Sequence, residues 1–270
     1  MTYLGIDIGG TNIRIGIGSG LTNWKNFQET SLDNLRNIDD IILILENTLN
    51  KWNASRSTFK GIGVSVAGLV DNNKIVRIAE NLGWHNVSLA NLLETKFKKK
   101  VFVETDVFCG AFFVSKSGEV EKLNSALYVS IGTGIGHAFI INGKVWKGSN
   151  NNANAMGHFV VTQNGTNCYC GLKDCLCMVA SGKAQSVDNP PKGAIEALSK
   201  TLGNSITLIE PKIIILSGGG LNLPWFNIDE IKKCIKHYTY PGITLPTIIA
   251  NYNNDLNLRG AALLAKEMNV

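Results

Sequence analysis

Apolar positions along this chain follow two spacings. Residues 3–8 (YLGIDI) form a nearly continuous apolar run that enters Gly9-Gly10. A short run of this kind, ended by turn residues, predicts a strand buried on both faces. A second run reaches Ile17, and a third segment holds Trp24 and Lys25. The same order then returns. Residues 127–131 (LYVSI) enter Gly132-Thr133-Gly134, and residues 137–141 form the second run. Asn142-Gly143 supplies a tight hairpin turn, and Trp146-Lys147 close the third segment. Two copies of strand, glycine turn and meander predict two similar α/β domains facing each other.

Elsewhere the spacing is helical. Ile41, Ile42, Leu45, Leu49 and Trp52 share one stripe, and residues 61–67 read as a buried strand. Ser88 predicts an N-cap for a helix carrying Leu89, Leu92, Leu93 and Phe97. Lys98, Lys99 and Lys100 predict a solvated turn before a strand from Val101 to Val103, and Val107, Gly110, Ala111 and Val114 a helix after it. Ile195, Leu198, Leu202 and Ile209 form a further stripe, and a strand over residues 213–216 enters Gly218-Gly219-Gly220. Helices alternating with buried strands mean α/β layering.

Composition narrows the function. With 44% hydrophobic and 17% charged residues, the 270-residue chain has the balance of a globular protein with an ample core. Its net charge of +5 is spread too thinly for a basic footprint, so no nucleic-acid partner is expected. No stretch reaches the roughly 20 apolar residues of a membrane span. Asp7 also interrupts what would be the apolar region of a signal peptide, so a cytoplasmic protein is expected. Of six cysteines, Cys168, Cys170, Cys175 and Cys177 crowd into ten residues, which in a reducing compartment points to metal rather than disulfides.

Three features carry chemistry. The glycine turns at strand ends let backbone N–H groups approach an anion, and neither a Walker lysine pattern nor a GxGxxG fingerprint accompanies them. His158, Cys168, Cys170 and Cys175 make the Cys3His donor set of a closed tetrahedral zinc site. Asp106, just past a strand, is placed either to take a proton from a substrate hydroxyl or to cap a helix.

Together these residues resemble a known group. Residues 5–14 (GIDIGGTNIR) look like the first phosphate motif of the actin, heat-shock-protein and sugar-kinase superfamily, residues 132–136 (GTGIG) like its second, and residues 216–220 (LSGGG) like its adenosine motif. Within it, residues 81–84 (NLGW), residues 103–106 (VETD), Gly157-His158 and the cysteine cluster are similar to the ROK family of repressors, open reading frames and kinases. The resemblance implies an α/β fold of two actin-like (ribonuclease H-like) domains, residues 1–107 with 256–270, and residues 108–255 with a zinc loop, closing a cleft on substrate. It implies phosphorylation of a hexose or amino-sugar hydroxyl by ATP. Asp7 would hold Mg2+ through water. Gly9, Gly10, Thr11, Asn12, Gly132, Thr133 and Gly134 would grip phosphates, and Gly218, Gly219 and Gly220 the adenosine. Gly68, Asn81, Thr105, Asp106 and His158 would meet the sugar, with Asp106 as catalytic base. Structural Zn2+ would sit on His158, Cys168, Cys170 and Cys175. Family members are often homodimers.

The departures from the family pattern matter as much. Thr105-Asp106 stands where members usually have Asn-Asp, and Ala155 and Cys177 stand where they have glutamates. Each missing partner for a substrate hydroxyl costs roughly 1–3 kcal/mol, so plain glucose is disfavoured and a roomier pocket for a bulkier or less hydroxylated substrate is expected. A nucleotide-binding pseudokinase or sugar sensor is the alternative. Residues 183–193, with Pro190-Pro191, are shorter than the family's helical lid, and the phosphate motif beginning at residue 5 leaves no helix-turn-helix ahead of it, which speaks against the repressor branch.

Overall fold

The computed structural model of the chain describes residues 1–268 apart from 22, 34, 118–119, 121–123 and 187–192. The chain divides into two compact units, residues 1–118, 148–152 and 255–270, and residues 119–147 and 153–254. Each has its own apolar core.

In the first unit β1 (Tyr3–Ile8), β2 (Asn12–Gly18) and β3 (Asn26–Ser31) form an antiparallel meander. Helix α1 (Ile38–Lys51) leads to β4 (Ile62–Val66), which pairs in parallel with β1. A separate three-stranded meander holds β5 (Leu69–Asp71), β6 (Ile75–Ala79) and β7 (Trp84–Val87). Helix α2 (Leu89–Phe97) and β8 (Val101–Thr105) complete a five-stranded sheet ordered β3-β2-β1-β4-β8. Helix α3 (Asp106–Ser115) follows.

The second unit repeats the plan. Strands β9 (Ser125–Ile131), β10 (Ile135–Ile141) and β11 (Lys144–Trp146) form the antiparallel meander, and β12 (Ile213–Ser217) and β13 (Thr247–Asn251) extend it in parallel, in the order β11-β10-β9-β12-β13. Helices α4 (Cys177–Ala180), α5 (Ala194–Ile209) and α6 (Ile228–Ile235) belong here, and α7 (Leu256–Met268) returns to the first unit. Two sheets with one strand order and one set of directions are the tertiary form of the sequence repeat.

Several local expectations need correction. Trp24 precedes β3 rather than lying in it; its ring covers Gly16 and Gly18, and its Nε1 donates to Asp255 at 2.8 Å. Trp146 lies within β11 opposite Phe139, so the two tryptophans are not equivalent. Ser88 precedes α2 but makes no side-chain cap, whereas Asn37 caps α1 by accepting from the Asp40 N–H at 2.8 Å. A domain boundary at residue 108 would cut α3, which stays whole in the first unit. It packs on α7 so closely that a Cβ on Gly260 would run into the Cys109 carbonyl. No helix of the described residues is long and apolar enough to cross a membrane.

Candidate active site and metal centre

The first unit presents a row of polar side chains across its apolar sheet. Strand register sets Glu29 opposite Arg14, Arg14 opposite Asp7, Asp7 opposite Ser65 and Ser65 opposite Glu104. Because directly opposed residues share a face, these groups meet: Arg14 donates to Glu29 at 2.8 Å and to Asp7 at 3.4 Å, and the Ser65 hydroxyl donates to Asp7 at 2.6 Å. Asp7 is buried, and burial raises its carboxyl pKa above the ordinary carboxylate value by more than Ser65 and Arg14 lower it. A buried carboxylate whose neighbours only partly offset the cost of its charge fits a divalent cation. Neither Arg14, Glu29 nor Ser65 was singled out from sequence. Their signal lay in the register, which needs the strand pairing.

Asp106 opens α3 directly beyond β8, and its Oδ1 accepts from the Val107 N–H at 2.8 Å. Burial, then the charge of Asp7, pushes its carboxyl up to about 7. The Thr105 hydroxyl donates to the Gly68 carbonyl at 3.0 Å, so two of the residues expected at the sugar are bonded to each other. Asn81 adjoins the first glycine turn: a Cβ on Gly10 would lie 3.1 Å from the Asn81 Cβ. Asn12 donates to Glu29 at 2.9 Å, and the Thr11 carbonyl accepts from the Leu32 N–H at 2.8 Å.

The glycine turns divide their labour. The Gly9 N–H donates to the Asn12 carbonyl at 2.9 Å and that of Gly132 to the Gly134 carbonyl at 2.8 Å. Both N–H groups close their own turns. In the second unit the turn is pinned further, because Gly182 donates to the Gly132 carbonyl at 2.7 Å and Lys183 to that of Thr133 at 3.2 Å. In the third turn a Cβ on Gly218 or Gly220 would strike Ile131, and Gly218 also has φ +95°; Gly219 faces open space. Two of these glycines are therefore demanded by packing on β9.

The second unit also assembles the soft donors. His158 ends a 3-10 turn (Met156–His158), and its ring, Cys168, Cys170 and Cys175 bring their ligand atoms within 4.8 Å of one another. Cys170 and Cys175 sulfurs are 3.7 Å apart, and Cys168 Sγ is 3.6 Å from His158 Nδ1. A tetrahedral ion with bonds of about 2.3 Å to sulfur and 2.05 Å to nitrogen has edges of about 3.8 and 3.6 Å, so the cluster fits zinc. Asp174 ties the loop by accepting from the Thr162 hydroxyl at 3.0 Å and from the N–H groups of Asn164, Gly165 and Thr166 at 3.2, 3.0 and 3.0 Å. Burial works to raise its carboxyl, but these donors hold it below the ordinary range. Unmentioned by the motif reading, His137 braces the same region. Burial lowers it to about 4, so it is neutral, and its Nδ1 accepts from the Met156 N–H at 3.1 Å. Its place in the apolar run HAFII was the available signal.

Cys177, which stands where the family pattern has a glutamate, lies beside the metal cluster. At the start of α4 it is buried, its sulfur 3.6 Å from that of Cys168 and 3.8 Å from His158 Nδ1, and the Tyr169 hydroxyl donates to it. Ala155, by contrast, is exposed. Pro190-Pro191 lie outside the described residues.

Residues 3–193 match the model of the ROK family. The chain belongs to the ROK family. Among its relatives is a xylose repressor from Bacillus spizizenii, 32% identical over 54% of this chain and 38% of the repressor, so the chain spans about two fifths of that protein's length. An N-acetylmannosamine kinase from Vibrio cholerae is 28% identical over 99% of this chain and 100% of the relative. The fold matches a ROK family glucokinase from Streptomyces griseus, solved with glucose and AMPPNP, with a TM-score of 0.83 at 21% identity over 99% of this chain and 100% of the other. The family thus contains both sugar kinases and transcriptional repressors.

Proposed function

We propose that this ROK protein is a kinase that transfers the γ-phosphoryl group of ATP to a hydroxyl of a small carbohydrate. One arrangement carries the reading: Asp106 opens α3 directly beyond β8, its carboxyl held by the Val107 N–H, and burial and the charge of Asp7 raise it to about 7, where a general base works best near neutral pH. Asp106 takes the proton of the attacking hydroxyl, and the Val107 N–H bonded to its Oδ1 fixes the carboxyl's orientation. Asp7, oriented by Ser65 and Arg14, is the ligand for Mg2+. When bound, the ion neutralises charge on the transferring group. Gly10, Thr11, Thr133 and Gly134 offer the phosphate contacts, while Gly9 and Gly132 hold the turns in shape. Zinc on His158, Cys168, Cys170 and Cys175 orders the loop that carries His158, which meets the sugar. Thr105, Ala155 and Cys177 stand where the family pattern has sugar-binding Asn and Glu, which disfavours plain glucose as the substrate.

A screen of ADP release over hexoses, amino sugars and polyols tests this. Asp106→Asn should keep nucleotide affinity and lose turnover by the roughly 10²–10⁴ that a general base supplies. A variant keeping most of its rate removes Asp106 as base. No ADP release with any acceptor, with ATP still bound, favours the sensor reading, whose support is the non-acidic Cys177 and Ala155.

A further inference from the structure

A further soft donor, Cys177, borders the four-residue metal cluster. Cys168 Sγ, Cys177 Sγ and His158 Nδ1 form a triangle with sides of 3.6, 3.8 and 3.6 Å. Every side has the length of an edge between two ligands of one tetrahedral zinc, about 3.6–3.8 Å from the bond lengths. Cys177 is therefore at ligand spacing from two of the four donors, on the side where His158 meets Cys168, while standing outside the mutually close set of four. It is buried, and the residues around it hold it there. The Ser181 hydroxyl donates to its carbonyl at 2.5 Å, and the Met178 N–H donates to the Cys175 carbonyl at 2.9 Å. The Tyr169 hydroxyl points at its sulfur, the kind of outer contact that orients and stabilises a thiolate ligand. His158 is only half-buried and is the one nitrogen among the five donors. A thiolate is the softer ligand, suited to zinc at least as well as imidazole.

We propose that the centre has two ligand sets sharing Cys168, Cys170 and Cys175, with His158 Nδ1 and Cys177 Sγ as interchangeable fourth ligands. The exchange lets His158 leave the ion without loss of the metal, freeing its imidazole for the sugar hydroxyl proposed for it above. Cys177 loses a proton on binding, and His158 leaves as neutral imidazole, so one proton is released per exchange. The proposal rests on the metal centre assigned above.

Co2+ is the probe, bound to the full chain in place of zinc. Wild type should hold about one ion per chain with the charge-transfer absorption of three thiolates. His158→Ala should still hold about one ion per chain, with that absorption raised by about a third as a fourth thiolate joins. Cys177→Ser should keep the metal at three thiolates, and the double variant should bind at least tenfold more weakly than either single one. His158→Asn repeats the measurement if the alanine variant does not fold. Loss of the ion from both His158 variants, or retention with unchanged absorption, overturns the exchange while leaving the metal centre intact. A wild-type chain that binds no ion overturns the metal centre itself.

Discussion

Replacing Asp106 by asparagine should stabilise the protein while disabling it. The native carboxyl sits at about 7 instead of 3.8, chiefly because burial opposes its charge and secondarily because Asp7 does. A carboxyl raised on folding binds its proton more tightly in the native state, so its contribution to stability is greatest below pH 3.8 and is lost as pH rises through 7. At about 1.36 kcal/mol per pKa unit, the 3.2-unit difference corresponds to a penalty of about 4 kcal/mol by pH 8, against about 1.7 kcal/mol at pH 5. Asparagine keeps an oxygen for the Val107 N–H and removes the charge. In magnesium-free buffer, urea unfolding should therefore favour Asp106→Asn over wild type by about 2.5 kcal/mol more at pH 8 than at pH 5. A difference between the two proteins that does not change with pH would refute the argument, whatever its absolute size. Stability gained where activity is lost is the usual signature of a strained functional group.

Two further outcomes follow from the second unit. Asp174→Ala removes the acceptor that gathers Thr162, Asn164, Gly165 and Thr166, so metal titration should show affinity weakened roughly 10–100-fold, as for other groups that orient ligands; unchanged affinity would mean that the loop orders itself. His137 is held neutral, with its pKa lowered by burial to about 4, so its contribution is full above the unfolded value of 6.5 and lost as pH falls towards 4, by about 2 kcal/mol at pH 5. His137→Asn, which retains an acceptor for the Met156 N–H, should be less acid-sensitive than wild type in the same denaturation series, and parallel pH curves would count against this.

The strands, the duplicated glycine turns and the Cys3His cluster were legible in the sequence because each depends on short-range pattern. Residues 3–8 alternate too little to be anything but a buried strand, Asn142-Gly143 forces a reversal, and the cysteines lie within ten residues of one another. What the linear pattern could not contain was register. Glu29, Arg14, Asp7, Ser65 and Glu104 come from five strands spread over residues 7–104, and only pairing sets them in one row. The same holds for roles decided by close approach. That the N–H groups of Gly9 and Gly132 close their own turns is seen only in the folded backbone, and Gly218 and Gly220 look alike with Gly219 until Ile131 is placed beneath them. Cys177 reads as a lost carboxylate; in space it borders Cys168 and His158. Local backbone preference and apolar periodicity act over a few residues and survive in the sequence, whereas desolvation, ligand geometry and a carboxyl raised by its neighbour depend on distances that only the packed chain creates.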